Sequence, residues 1–412
     1  MVRGSLVQRA TRQAANQFRP SRRAGWNVRR GALYSPGMPD PRNILVVQPS
    51  WVGDAVMATP TLRALRARYP TARITYLMKR YVKPLYSGMP WVDRRITYRT
   101  GKTRKKAGKN LFELAARIRS AKFDMAILLP NSFQSALICK MSNIPRIVGY
   151  DRDGRGFLLT DRLVAAKDKG KFIPTPLIKS YLGLSKYLAG TERDITMKLF
   201  VTDLERRHAL EILDRCGLED HPDRPHSRGR PPMIVLNPGA TYGAAKCWRA
   251  EYYAQLADQF IERLGATVLI SAAPRERQIV DEITRFMKHA PVDLAAKGLT
   301  LGSLKEIVRR CDLMVTNDTG PRHIAAAFDV PVVTIFGPTH PEWTEIFYPR
   351  EQQVSVKVFC GPCQKKKCPL DHRCMTQVTV PMVYEASTRL LNGDGDGASA
   401  EAKPGSAANG ST

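Results

Sequence analysis

Residues 315–339 read VTNDTGPRHIAAAFDVPVVTIFGPT. Leu313–Val315 has the composition of the end of a short buried strand, and Asn317, Asp318, Thr319, Gly320 and Pro321 make a turn rich in helix-capping residues. His323–Phe328 is helical in composition, and Pro331–Gly337 is a second apolar strand. A strand, a turn rich in side-chain oxygens and a helix start form a βαβ unit. The N–H groups and dipole at such a helix start suit an anion such as a diphosphate. Asp318 would repel a phosphate, so it either caps the helix or meets a ribose or sugar hydroxyl. A purely structural role, in which Asp318–Gly320 only cap a Rossmann-like helix, fits the same spacing.

Upstream, the alternation of strand and helix repeats. Met233–Leu236 is a strand with Asn237–Gly239 as its turn, and Lys246 and Trp248 precede a helix over Glu251–Arg263. Thr267–Ser271 is a strand, and Arg275–Met287 and Leu304–Arg310 are helices. Thr202-Asp-Leu-Glu205 is a capping box ahead of a helix over Arg206–Cys216. Asp220–Pro232 reads as a surface loop.

In the first half, Ile44–Val47 is a buried strand, QPSWVG (48–53) is the loop at its carboxyl end, and Ala55–Arg68 is helical. Pro60 either kinks that helix or opens its main part with Thr59 as N-cap. Open α/β sheets bind ligands at the carboxyl ends of their strands, which makes Asp54 a functional candidate; a plain N-cap is the alternative. Ile74–Leu77 is the next strand, and Leu111–Ile118 an amphipathic helix. Met125–Leu129 is a strand followed by Pro130, Asn131 and Ser132, then come a helix over Ser135–Met141, a strand over Arg146–Gly149 and a helix over Pro174–Leu188. Two parallel-sheet, Rossmann-like halves facing across a cleft are the expected architecture, an α/β fold. No GxGxxG follows the first strand, which counts against a dinucleotide-dependent dehydrogenase.

The formal charge of +28 over 412 residues requires an anionic partner, whether nucleic acid, a membrane surface or an acidic substrate. No run approaches the ~18 apolar residues of a transmembrane helix. No RRM, KH, helix-turn-helix or zinc-finger pattern appears, so nucleic acid is not the expected partner. Residues 1–38 carry eight Arg, no acidic residue and no apolar h-region, and read as a disordered basic arm. Arg99–Lys109 holds six Lys and Arg and reads as a mobile basic loop. From about Asn392 the chain is mostly Gly, Ala, Ser and Asp and reads as a disordered tail. Asp394-Gly-Asp396 and Asp151-Arg-Asp153 have DxD spacing, but a tail and a loop are poor places for a metal site. Cys139, Cys216, Cys247 and Cys311 are scattered, and read as reduced thiols in packed surroundings.

QPSWVGDAVMATPTLRAL at 48–65, LPNSFQSAL at 129–137, LNPGATYGAAKCW at 236–248, TNDTGPRHIAAA with FGPTHP within 316–341, and CGPCQKKKCPLDHRC at 360–374 together resemble one family. It is the ADP-heptose:lipopolysaccharide heptosyltransferases, the GT-B enzymes of glycosyltransferase family 9, and the likeness is strongest to the heptosyltransferase II type. The resemblance runs from about Asn43 to Leu391. It implies an inverting transfer of heptose from ADP-heptose to an anionic lipopolysaccharide precursor, at the cytoplasmic face of the bacterial inner membrane, without a cofactor. It also implies Asp54 as general base and Lys246 as the lysine on the sugar-nucleotide phosphates. Thr241, Glu276 (at the ribose), Asp318, Thr319, Gly320 and His323 would complete the donor site, and Asn131 and Ser132 the acceptor site. Gln134 stands where relatives often carry a basic residue.

The implied division is a basic arm over 1–40, an acceptor domain over 41–190, a nucleotide-sugar domain over 195–355, a cysteine-rich loop and C-terminal helix over 356–391, and a tail over 392–412. Cys360, Cys363, Cys368 and Cys374, with His372 beside the last, begin like a metal site but lack the second matching pair of a zinc ribbon. The expected reading is a reduced cysteine-rich loop or a redox-made disulfide, with no metal. The basic arm and the 99–109 loop are expected to draw the chain to anionic lipid without inserting it.

Overall fold

The protein is described by a computed structural model over residues 39–99, 104–191, 193–218 and 230–393. The expected arm up to Met38, the tail from Asp394 with its DxD spacing, and residues 219–229 of the Asp220–Pro232 loop lie outside the described residues. In chain order the first half runs β1 (Asn43–Val47), α1 (Val52–Met57), α2 (Thr59–Arg68), β2 (Arg73–Lys79), β3 (Arg94–Tyr98), α3 (Arg104–Ser120), β4 (Met125–Leu128), α4 (Phe133–Met141), β5 (Arg146–Tyr150), β6 (Asp161–Leu163), a small hairpin of β7 (Lys167–Asp168) and β8 (Lys171–Phe172), and α5 (Leu177–Tyr187). The second half runs α6 (Asp203–Asp214), β9 (Met233–Asn237), α7 (Ala250–Leu264), β10 (Thr267–Ile270), α8 (Arg277–Phe286), β11 (Val292–Asp293), α9 (Leu301–Arg310), β12 (Leu313–Asn317), α10 (Gly320–Ala327), β13 (Val332–Ile335), β14 (Glu351–Val354), α11 (Arg373–Thr376) and α12 (Val380–Asn392).

Two six-stranded parallel sheets have the same order, β3-β2-β1-β4-β5-β6 and β11-β10-β9-β12-β13-β14. The central strands NILVV, MAIL and MIVLN are nearly all apolar because helices cover both faces of each sheet. One outer apolar layer lies under α3 and α4, and another under α7, α8 and α12. The inner layers merge into a single buried cluster running from Ile44 and Tyr76 through Leu199 and Ile212 to Met314 and Ile324. The two sheets therefore share a core along their inner helices. Reversal of strand order in each sheet falls between β1 and β4, and between β9 and β12. The loops after β1, β9 and β12 thus open at the switch points where ligands bind.

Several local expectations hold with their physical cause. The Thr202 capping box forms in both directions, with Glu205 N donating to Thr202 Oγ1 at 3.3 Å and Thr202 N donating to Glu205 Oε2 at 3.0 Å. Pro60 stands in the first turn of α2, but Ala58 rather than Thr59 is the N-cap; Thr59 Oγ1 turns back to Val56 O at 2.7 Å.

Other expectations are corrected. Arg99–Lys109 is not a loop throughout: α3 begins at Arg104, well before Leu111, and carries basic residues in its first turns. Asp40, assigned to the arm by the sequence, is held to the first unit, since Arg68 grips both its carboxylate oxygens at 2.9 and 2.8 Å. The edge strands β3 (RRITY), β6 (DRL), β11 (VD) and β14 (EQQV) were not legible, being short, charged or only partly buried.

Candidate active site

The turn after β12 is built around buried polar groups. Asp318 accepts from Lys246 Nζ at 2.6 Å and from Thr339 Oγ1 at 2.8 Å, and Arg322 Nη1 stands 3.6 Å away. Burial would raise the Asp318 pKa; Lys246 and Arg322, with the hydrogen bonds from Lys246 and Thr339, outweigh it and hold the carboxyl below its ordinary value. Asp318 makes no cap to α10, whose N-cap is Thr319 without a side-chain cap bond. The simple capping role is therefore excluded by where the side chain goes. Lys246 also donates to Asp318 O at 2.9 Å, so the lysine is anchored to this turn by two bonds.

Asn317 joins the loops after β9 and β12. Its Nδ2 donates to Pro238 O at 2.7 Å, and its Oδ1 accepts from Trp248 N at 3.1 Å and Tyr253 OH at 3.2 Å. Asn237 Nδ2 reaches Thr319 Oγ1 at 3.2 Å. Thr241 is exposed on the same loop and accepts from Arg275. Glu276 accepts from Ala273 N at 3.0 Å, and a Cβ on Gly239 would fall 2.3 Å from Glu276 Oε2, so the carboxylate lies against the backbone of the β9 turn. Lys246, Thr241, Glu276, Asp318 and Thr319 thus gather at one edge of the second sheet.

The first sheet meets this edge through α1. Asp54 is the third residue of α1, whose N-cap is Trp51 with no side-chain cap bond, so Asp54 is not a plain N-cap. It is half-buried, and burial lifts its pKa from 3.8 to about 6 against the opposing pull of its own backbone N–H and of Lys246. The α1 and α10 backbones touch. A Cβ on Gly320 would come 2.7 Å from Val52 Cβ, and one on Gly53 would come 2.7 Å from His323 Cδ2. His323 is therefore buried against α1. Its Nδ1 has no hydrogen-bond partner, and burial, helped by Arg322 and Lys246, lowers its pKa to about 3, leaving it neutral.

Asn131 and Ser132 follow β4 on the first sheet. Ser132 caps α4 by accepting from Ser135 N at 3.2 Å. Asn131 Oδ1 accepts from Arg155 at 3.3 Å. Arg155 is fully buried and also donates to Pro130 O, Ser132 O and Tyr150 O, so it fixes the whole loop. Burial brings its pKa down to about 10. Arg155 in DRDGRG and Asn317 were not singled out from sequence. Asn317 had a usable signal, a polar amide closing a buried strand; Arg155 had none, because most of its partners lie on a loop more than 20 residues upstream.

Cys360, Cys363, Cys368 and Cys374 all line one cavity of about 100 Å³, with His372. All are free thiols, and burial with the neighbouring thiols pushes Cys374 up to about 11. Among the described residues, no group of three or more His, Cys, Asp or Glu side chains could hold a metal ion. The segment instead braces the lysine loop. His372 Nε2 bonds Ala245 O at 2.7 Å, Ala245 N donates to Lys366 O at 3.1 Å, and Tyr242 OH donates to Gln364 O at 2.7 Å.

Comparison with known proteins gives a consistent result. Residues 111–373 match the model for "Glycosyltransferase family 9 (heptosyltransferase)". Lipopolysaccharide heptosyltransferase 2 of Salmonella typhimurium is 32% identical over 306 residues, which covers 73% of this chain and 84% of that protein. The structure of E. coli ADP-heptose lps heptosyltransferase II superposes with a TM-score of 0.68 at 28% identity, over 85% of this chain and 99% of that one. A glycosyl transferase family 9 structure from Veillonella parvula superposes with a TM-score of 0.71 at 22% identity, covering 85% of this chain and 97% of that one, and supports the fold alone.

Proposed function

This chain belongs to glycosyltransferase family 9, the heptosyltransferases, and on that premise we propose that it moves heptose from ADP-heptose to an inner-core lipopolysaccharide acceptor, in the manner of heptosyltransferase II. Asp54 takes the proton from the attacking acceptor hydroxyl. A carboxyl poised at about 6 is ionised at neutral pH yet basic enough to accept it. The hydroxyl oxygen attacks the anomeric carbon, the bond to the diphosphate breaks on the opposite face, and the configuration inverts. Negative charge then grows on the leaving ADP. Lys246 commits two contacts to Asp318 and, with three protons on its ammonium, keeps one for a phosphate oxygen. The start of α10 adds its dipole to the same charge. Thr241, Thr319 and Gly320 border the donor, Glu276 serves the ribose, and Asn131 and Ser132 meet the acceptor. His323, neutral and pressed on Gly53, acts on the donor site by holding α1 against α10. The first sheet's unit takes the acceptor and the second takes the nucleotide sugar.

The observation that carries this reading is the seam at Gly53, Gly320 and His323, which brings the Asp54 helix onto the turn that anchors Lys246. Among the described residues no helix is long and apolar enough to cross a membrane, and we place the chain peripherally at an anionic bilayer where its lipid acceptor resides. A thermal-shift series with ADP, UDP and GDP tests the donor assignment, because only a ligand that favours the folded state raises the midpoint. ADP is expected to raise it most. A larger shift with UDP or GDP would reassign the protein to a relative using another nucleotide sugar. Tight RNA binding with no nucleotide response would favour a nucleic-acid-binding role.

A further inference from the structure

We propose that the carboxyl edge of the first sheet is a bilayer-contacting rim that seats the protein on an anionic lipid surface by burying aromatic rings. This rests on the reading that the acceptor is lipid-borne. Four of the first five connections at the carboxyl edge of that sheet carry an exposed aromatic residue. Trp51 follows β1 and is 53% exposed, Tyr81 follows β2 at 55%, Phe133 opens α4 after β4 at 42%, and Phe157 follows β5 at 66%.

Single exposed apolar residues are ordinary on a soluble protein. Here they recur on four of the five connections at one edge, and the edge is the one that carries Asp54. Two contacts join them further: the Phe133 and Phe157 ring centroids lie 6.0 Å apart, and Tyr81 OH donates to Ser50 O in the loop that holds Trp51. In a parallel α/β unit every helix starts at this edge, so α3 places its opening RKKAGK sequence there too. Exposed Arg80 and Lys83 flank Tyr81, and Glu113, Asp151 and Asp153 are acidic residues that follow β3 and β5. A basic edge studded with rings matches an anionic interface, where cations are drawn to headgroups and aromatic rings settle at the headgroup level. The rings sit on rigid connections, so little ordering is needed to bury them together. Attachment would then combine a salt-sensitive part with an insertion part that salt does not remove. The mixed mode adds an inserted part to the electrostatic attachment expected of residues 1–38 and the 99–109 run.

The test is co-sedimentation of the full chain with phosphatidylethanolamine–phosphatidylglycerol vesicles at about 0.1 M and about 1 M salt, where screening is respectively partial and nearly complete. Binding is expected to weaken but persist at the higher salt. Phe133→Ser with Phe157→Ser should lose that residual binding, on the order of tenfold or more for two rings withdrawn from an apolar phase. Phe286→Ser, exposed at the end of α8 in the other unit, should bind like the unchanged chain. The midpoint shift with ADP should be the same in all variants, which certifies folding; if the pair fails that check, Phe157→Ser alone is used. Complete loss of wild-type binding at the higher salt would overturn the proposal, as would a pair variant that binds undiminished. Because the nucleotide series reads the second unit and the vesicles read the first, the rim and the transferase assignment fail separately.

Discussion

Asp54 and Lys246 carry opposite electrostatic predicaments. Burial holds the Asp54 carboxyl at about 6, so the folded chain binds more protons than the unfolded chain between about pH 4 and 6. Stability should therefore fall as pH rises through that window, and the cost persists above it. Asp54→Asn should be more stable than the parent at pH 8, by at most roughly 2–3 kcal/mol, in chemical denaturation. The same change should lower turnover by about two decades or more, in the range for a lost general base, while ADP affinity holds. In the parent, turnover should decline below about pH 6 as the carboxyl protonates. Unchanged turnover in Asp54→Asn would remove the residue from the chemistry. Lys246→Ala should weaken ADP binding in calorimetry by about tenfold or more, the worth of a charge-assisted contact. It should also reduce stability, since Asp318 stays buried with Arg322 and Thr339 as remaining partners. An unchanged dissociation constant would take Lys246 out of the donor site.

At the scale of elements, the seam between α1 and α10 sets how the site closes. Gly53→Ala would drive a methyl into the His323 ring at 2.7 Å, and the helices must part to admit it. The expected outcome is a fall in turnover of about tenfold or more, as for small misplacements of reacting groups, with ADP affinity retained because its contacts lie on the second unit. A loss of ADP binding equal to the loss of turnover would contradict this division. Sequence periodicity was enough to find the central strands and the Thr202 cap, because burial on both faces writes an apolar run and capping writes a local pattern. It placed Lys246 and Asp318 on the correct connections, and Asp54 just ahead of a helix that in fact begins at Val52. It could not pair Asp318 with Lys246, 72 residues apart, nor find Arg155, which mostly holds oxygens of the distant 130–135 stretch. The start of α3 was misread because RKKAGK carries no apolar stripe; the helix is settled by packing further along, at Leu114, Ala115 and Ile118.

For the whole molecule, the shared inner core and the repeated strand order place two switch points face to face, one bearing a carboxylate and the other an anchored ammonium. The fold class was legible from alternating strands and helices, whereas the continuity of the core across both halves was not, since it depends on residues as distant as Tyr76 and Ile324 packing into one cluster. This arrangement is suited to transfer heptose from ADP-heptose. The most direct measurement is ADP release by the purified chain, given ADP-heptose and a heptose-bearing inner-core acceptor, with the saccharide product weighed by mass spectrometry. The prediction is ADP release that requires both substrates, a product heavier by one heptosyl unit, and near-complete loss of both in Asp54→Asn. Stable ADP-heptose in the presence of acceptor, or equal transfer by the Asp54→Asn chain, would contradict it.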